Sequence, residues 1–504
     1  MNGETYTTNR LVIVSNRLPI VLSKKKNGDW SIQPGSGGLV TALAPVLKNR
    51  GGLWIGWPGN VNEDGIDNGK LLEEESTRIG YTLKPVELTF EEKENYYKGF
   101  ANEIIWPLFH DFIAHCNFNP QYWYAYQNVN QKFAEVVVLN IKEDDFIWVH
   151  DYHLMNVAKN LRKMGVNNKI AFFLHIPFPP PDFFVRLPWR FEIINSLLEY
   201  DLIGFQTFRD RRNFLQCIHT FIKETRGIGK GQVIKIRVPD REIRVGAFPI
   251  SIDYDEFVKI ANGKEVAEKA WYFHEEFPNR KIIFCIDRLD YSKGIPERMK
   301  AFRNALRRYP DLREKLSLIQ VVVPSRRDIA KYEALKTEIE RFVGQINGEF
   351  TQSGWVPIQY IFRSLDRSEL IAYYRTSEIA LVTPIKDGMN LIAKEYCASN
   401  VEEEGVLILS EFAGVAAQFK KGALLINPHD IEGIAEAIKE AFYMPQEQRK
   451  IRMQKLRQNT RKHNIYWWVD SFLQAAIEKN LDNFPLLEDY IPLSEDQTNI
   501  GNST

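Results

Sequence analysis

Thr383-Pro-Ile-Lys-Asp-Gly-Met-Asn-Leu-Ile-Ala-Lys-Glu395 follows an apolar, strand-like run from Ile379 to Val382, turns at Asp387-Gly388 and enters a helical pattern near Asn390. A helix start leaves about four backbone N–H groups without partners and carries roughly half a positive charge, which suits a diphosphate. Glu395, about one and a half turns into that helix, is placed to accept two hydroxyl hydrogen bonds from a ribose, and Asp387 at the turn to do the same for a sugar. The stretch reads as a sugar-nucleotide site and equally as an ordinary strand-to-helix turn, so the rest of the chain decides.

Around it, strand candidates Lys281 to Ile286, Leu316 to Val323, Val406 to Ser410 and Leu424 to Ile426 each precede a helical stretch. The first half repeats the alternation. Apolar runs Leu11 to Ser15, Phe146 to His150, Ile170 to Leu174 and Leu202 to Phe205 are interleaved with helical patterns at Leu39 to Lys48, Leu154 to Lys163, Trp189 to Leu198 and Arg209 to Lys223. Continuous apolar strands separated by helices mean parallel sheets covered on both faces. Val233 to Pro249 reads as a β-hairpin, Ser23 to Gly35 as a polar hairpin or flap, and Ile431 to Lys462 as one long basic helical region.

A chain of 504 residues exceeds one core. The expectation is two Rossmann-like, doubly wound α/β domains, residues 1–250 and 251–464. The apolar helix 465–482 would pack back on the first domain, 483–504 would form a tail, and ligands would bind in the cleft between the sheets' carboxyl edges. Lys+Arg 65 against Asp+Glu 65 gives no net charge, so nothing in the bulk electrostatics points to nucleic acid or an anionic membrane. Cys116, Cys217, Cys285 and Cys397 are scattered singly, as buried thiols of a reducing compartment would be. With no apolar leader and no run approaching 18 apolar residues, a soluble cytoplasmic protein is expected, and the Trp467-Trp468 helix would permit a homo-oligomer.

Chemistry-bearing residues collect at strand ends. Arg288 and Lys293 follow the first strand of the second half, with Gly294 opening the next helix: two cations beside a helix start suit a leaving diphosphate. His175 and Asp151 stand at ends of buried strands, where a histidine could donate to a sugar hydroxyl and a carboxylate bind one, although a core histidine satisfied by backbone fits His175 too. His150, Asp151 and His153 lack a third ligand at a usual metal spacing, so no metal and no cofactor are expected. Gly35-Ser-Gly-Gly38 matches neither the dinucleotide fingerprint nor the P-loop. Arg17 and Arg326 are candidates for a second phosphate, and Tyr97 and Trp106 lie in an aromatic-rich helical stretch.

With Val14-Ser-Asn-Arg17, Ser36-Gly-Gly-Leu39, Gly52-Leu-Trp-Ile-Gly-Trp57, His150-Asp-Tyr-His153, His175-Ile-Pro-Phe-Pro179, Arg288-Leu-Asp-Tyr-Ser-Lys-Gly294 and Asp387-Gly-Met-Asn-Leu391 in this order, the chain resembles the trehalose-6-phosphate synthases over roughly residues 10–480. These are retaining glycosyltransferases of family 20 with the two-domain GT-B fold. The resemblance implies transfer from a nucleoside diphosphate glucose, UDP-glucose first, to glucose 6-phosphate. It implies that Arg288, Lys293, His175 and Asp387 are catalytic. Gly38, Gly388, Met389, Asn390, Leu391 and Glu395 would join them in binding the donor, and Arg17, Trp57, Tyr97, Trp106, Asp151 and Arg326 would hold the acceptor. It further implies a front-face mechanism in which the leaving phosphate takes the acceptor's proton, without a carboxylate nucleophile or a metal. The insertion from about Leu22 to Pro34 departs from the shorter bacterial pattern and leaves that flap open. No D-x-D-x-T segment follows residue 480, so no fused phosphatase is expected. Three alternatives stand beside this reading: a sister activity on glycerol 3-phosphate, a catalytically silent sugar-phosphate-sensing subunit, and a phosphorylase on the same fold.

Overall fold

The computed structural model describes residues 10–24, 30–35, 38–61, 68–222, 225–228, 231–238, 241–325 and 329–478. The centre of the 22–34 flap, Ser36-Gly37, Arg326-Arg327 and the tail lie outside the described residues. Contacts divide the chain into two compact units. Of the described residues, the first takes 10–254, 386–391 and 463–478, and the second takes 255–385 and 392–462. Among them no helix is long and apolar enough to cross a membrane.

In the first unit the strands are β1 (Leu11–Arg17), β2 (Ile20–Lys24), β3 (Trp30–Pro34), β4 (Leu53–Trp57), β5 (Thr82–Pro85), β6 (Phe146–His150), β7 (Ile170–Phe173), β8 (Leu202–Phe205), β9 (Arg226–Ile228), β10 (Val233–Val238) and β11 (Arg241–Ala247). Nine of them form one sheet in the order β5-β4-β1-β6-β7-β8-β11-β10-β9. Pairing is parallel from β5 to β11 and antiparallel through the terminal β11-β10-β9 meander. β4, β6, β7 and β8 are buried at every position, which is why the sequence shows continuous apolar runs rather than alternation there. The flap is an antiparallel β2-β3 pair separate from this sheet.

The second unit has β12 (Lys281–Arg288), β13 (Leu316–Val323), β14 (Ile358–Ile361), β15 (Ile379–Val382), β16 (Val406–Ser410) and β17 (Leu424–Ile426). Its sheet is wholly parallel, in the order β14-β13-β12-β15-β16-β17. Counted from its first strand this is 3-2-1-4-5-6, and β5-β4-β1-β6-β7-β8 of the first unit repeats it. In such sheets the connection reverses direction beside the first strand, and the carboxyl ends there open onto a crevice. The helix Ile295–Arg308 covers the second sheet with Ile295, Met299, Phe302, Ala305 and Leu306, a helical spacing of apolar residues started by Gly294 and Pro296.

Two sequence expectations change. The basic region is two helices, Ile431–Tyr443 and Gln446–Lys462, because Pro445 cannot continue the first. The aromatic-rich stretch is a widened helix, Lys93–Ile105, after which the Trp106 N–H reaches back to the Ala101 carbonyl. The last helix, Ile465–Ile477, buries its apolar face within the first unit. Trp468 is fully buried against Trp148 with ring centroids 5.1 Å apart, and Phe472 stacks on Trp148 at 4.3 Å. The Trp468 indole N–H donates to the Phe248 carbonyl at 3.1 Å. Trp468→Ala should therefore cost about 3–5 kcal/mol of unfolding free energy in the first unit, read by urea denaturation followed through tryptophan fluorescence.

Candidate functional site

At the switch point of the first sheet, β1 ends in Arg17 and β6 runs into Asp151. The Arg17 guanidinium lies over the Trp57 ring, 4.6 Å from its centroid. Trp57 is fixed from below by its indole N–H, which donates to the Asn60 carbonyl at 2.5 Å, and meets Tyr97 edge-on at 5.7 Å. Tyr97 in turn stacks on His153 at 5.9 Å. Desolvation draws the Arg17 pKa down and Tyr97 draws it up, and the guanidinium remains a cation. Trp106 packs near the 151–153 turn, its ring 5.9 Å from that of Tyr152 and 4.2 Å from that of His110. The structure thus brings Arg17, Trp57 and Tyr97 into one aromatic-backed cationic cluster, with Asp151 and Trp106 on the turn beside it.

Asp151 adopts φ 75° and ψ 165°, a region that side chains avoid. Its carboxylate accepts the backbone N–H of His175 at 3.2 Å, and its own N–H bonds the Phe173 carbonyl at 2.8 Å. The turn is held open by these bonds. On the other side of His175 lies Gly388, where an added Cβ would run into the His175 carbonyl oxygen, so only glycine permits that approach. Segment 386–391 is anchored in the same unit by the Lys386 ammonium on Asp111 at 2.5 Å. Within it Asn390, at φ 77°, donates its amide to the Asp387 carboxylate at 3.2 Å, and Met389 is buried. Leu391 opens the helix Leu391–Ser399.

His175 is a ring in a relay. Its Nε2 is 3.2 Å from His150 Nδ1, and its Nδ1 is 3.4 Å from Gln206 Nε2. Burial holds the His175 pKa down at about 3 and pushes that of His150 well below the usual range, with His175 adding to the effect. Both rings are neutral at physiological pH, so His175 is not a proton acceptor of ordinary strength.

The second sheet has its own switch point between β12 and β15. Arg288 ends β12 and is exposed, while Lys293 follows in a short turn and is 9% exposed. Asp290 caps that turn by accepting the Ser292 N–H at 3.0 Å, and Ser292's carbonyl accepts the Ile385 N–H at 2.8 Å, tying the two loops together. Gly294, at φ 63°, passes so close to the Thr383 carbonyl that a side chain has no room. Beneath them the fully buried Arg298 binds Asp287 at 2.7 Å, Gln320 at 3.0 Å and Thr383 at 3.0 Å, fastening the ends of β12, β13 and β15. Glu395 accepts the Tyr374 hydroxyl at 3.0 Å, and burial raises its pKa. Gly38 is the first residue of the helix Gly38–Arg50. The predicted acceptor cation Arg326 lies outside the described residues. Sequence reasoning missed Gln206, the role of His150 beside His175, and Arg298. The first carries no motif, the second was weighed only as a metal ligand, and the third reads as an ordinary helix cation.

Residues 9–478 match the model of glycosyltransferase family 20. The chain belongs to that family. Among family 20 relatives, a trehalose-6-phosphate synthase of Mycobacterium bovis is 40% identical over 94% of this chain and 96% of its own length. The UDP-forming alpha,alpha-trehalose-phosphate synthase A of Dictyostelium discoideum is also 40% identical over 94% of this chain, which spans 63% of that longer protein. The crystal structure of a UDP-forming alpha,alpha-trehalose-phosphate synthase from Burkholderia xenovorans in complex with glucose-6-phosphate superposes with a TM-score of 0.84 at 36% identity, covering 93% of this chain and 100% of that one. An E. coli structure bound with UDP-2-fluoro glucose gives 0.83 at 36% identity, covering 93% and 99%. The two α/β units with parallel sheets are the GT-B fold of a family 20 glycosyltransferase.

The neutral histidines have a consequence for stability. In the unfolded chain each takes up a proton near pH 6.5, whereas folded His175 does so only near pH 3. Between those values the unfolded state binds more protons, so stability falls as pH drops through that window. Urea unfolding at pH 7.5, 6.0 and 5.0 should show this loss, and His175→Asn should make the decline shallower.

Proposed function

We infer that the chain transfers glucose from a nucleoside diphosphate glucose, UDP-glucose first, to glucose 6-phosphate, giving α,α-trehalose 6-phosphate with retention at the anomeric carbon. The observation that carries the reading is Arg17 at the end of β1, laid over Trp57 and flanked by Tyr97: a cation on an aromatic wall suits a sugar bearing a phosphate. In this reading Arg17, Trp57, Tyr97, Trp106, Asp151 and Arg326 serve the acceptor, and a second set of residues serves the nucleotide. Arg288 and Lys293 neutralise the diphosphate, Glu395 holds the ribose hydroxyls, and Gly38 with the backbone of 388–391 cradles phosphate oxygens. Asp387 and His175 hold the glucose. Four free thiols fit a reducing cytoplasm.

The bond from the anomeric carbon to the diphosphate oxygen stretches, and the acceptor's C1 hydroxyl attacks the same face. Its proton passes to the departing phosphate oxygen, so charge grows where Arg288 and Lys293 stand. A neutral His175 and the absence of a carboxylate nucleophile from the scheme are consistent with one another: the chain's contribution is positioning and charge.

Purified protein given UDP-, ADP- or GDP-glucose with glucose 6-phosphate or glycerol 3-phosphate tests this directly. Nucleotide release that requires glucose 6-phosphate, with a non-reducing disaccharide phosphate formed, is expected. Release only with glycerol 3-phosphate would assign the sister activity, and silence with every pair would assign a sensing role. Arg288→Ala should lower kcat by about 10²- to 10³-fold, and steady-state kinetics showing an unchanged kcat would remove it from the mechanism. Arg17→Ala should chiefly raise KM for glucose 6-phosphate; an equal loss with unphosphorylated glucose as acceptor would contradict a phosphate-binding role.

A further inference from the structure

Gln206 follows β8 and is buried. Its side-chain carbonyl accepts the Ile250 N–H at 2.9 Å, and this bond decides which way the amide faces. The amide nitrogen is therefore the atom that points at His175 Nδ1, 3.4 Å away. An amide nitrogen only donates, so Nδ1 must present its lone pair. A neutral ring then carries its single proton on Nε2 and gives it to His150 Nδ1 at 3.2 Å. His150, fully buried, is left with its own proton on Nε2, where no acceptor is found among the described residues. The reverse arrangement would set a His175 Nδ1–H against the Gln206 NH₂, donor against donor.

We propose that Gln206 and His150 are positioning residues that lock the His175 imidazole in the Nε2–H tautomer and in one orientation, so that its single N–H is spent on His150 and none is offered to a sugar hydroxyl. This rests on the reading of His175 as a donor-sugar residue and reverses the hydrogen-bond role that the sequence alone suggests for it. The groups around the ring are few. His150 comes from β6, and the Asp151 carboxylate is taken by the His175 N–H. Phe173 and Trp468 stand at 4.7 and 6.3 Å. On the 386–391 segment Gly388 lies against the carbonyl, Lys386 is paired with Asp111, and Asp387 is bonded by Asn390. The other contacts thus leave the choice of tautomer to the amide.

The test is ¹⁵N spectroscopy of the full chain labelled at histidine, with the His175 signals identified by their loss in His175→Asn. The wild type should show an Nε2-protonated, Nδ1-bare ring that does not titrate between pH 5.5 and 8. Gln206→Glu, which places an acceptor opposite Nδ1, should protonate that nitrogen within the same range and lower kcat by up to about 10²-fold while leaving KM for glucose 6-phosphate in place. Gln206→Met, of similar volume, should give mixed tautomers. A wild-type ring protonated on Nδ1, or ring signals unmoved in both variants, would overturn the lock. If the ring signals move as expected and kcat does not, the lock stands and the assignment of His175 to the donor sugar falls.

Discussion

Strands that run parallel and are buried on both faces must deliver all their strand-to-helix loops to the same edge of the sheet. Everything chemical in this chain follows from that constraint. Both sheets obey the 3-2-1-4-5-6 order, so in each the strand that starts the fold lies beside the point where the winding reverses. In the first sheet that strand ends in Arg17 with Asp151 next door; in the second it ends in Arg288, with the 383–395 stretch leaving the neighbouring strand. Residues more than 100 positions apart in the chain become neighbours because the ladder gives them no other place to go.

The edges are then stiffened by interactions that ordinary loops do not need. Arg298, Asp287, Gln320 and Thr383 form a buried polar knot under the second edge, in which each member offsets another's desolvation. Under the first edge the same task falls to the backbone N–H of His175 on the Asp151 carboxylate, and to the neutral chain of Gln206, His175 and His150. One edge is braced by a buried ion pair and the other by hydrogen bonds among two imidazoles, an amide and one carboxylate.

Much of this was legible in the residues. Continuous apolar runs such as Ile379 to Val382 and Phe146 to His150 gave the parallel sheets, because strands buried on both faces have no polar alternation to hide them. The hairpin at Val233 to Pro249 was equally plain. Strands β4, β5 and β14 were not separated from their surroundings: β5 and β14 are short, and β4 is a tryptophan-rich run whose aromatic residues serve strand and helix alike. The widened helix at Lys93–Ile105 left no mark in the pattern, since its hydrogen bonds shift by one residue without any change of residue type. At the site, residues placed at strand ends were visible as polar breaks after apolar runs. Gln206 and Arg298 were not, because their meaning depends on which backbone groups fold across to meet them.

Asp151 carries a last consequence. Its φ of 75° and ψ of 165° belong to a conformation that glycine adopts freely and other residues hold only under duress, at a cost of about 1–3 kcal/mol. A glycine there would relax the backbone, at the loss of the carboxylate that receives the His175 N–H. At this residue the chain holds a strain that glycine would not carry. Strain and carboxylate come together at position 151, and a substitution that relieves the one removes the other.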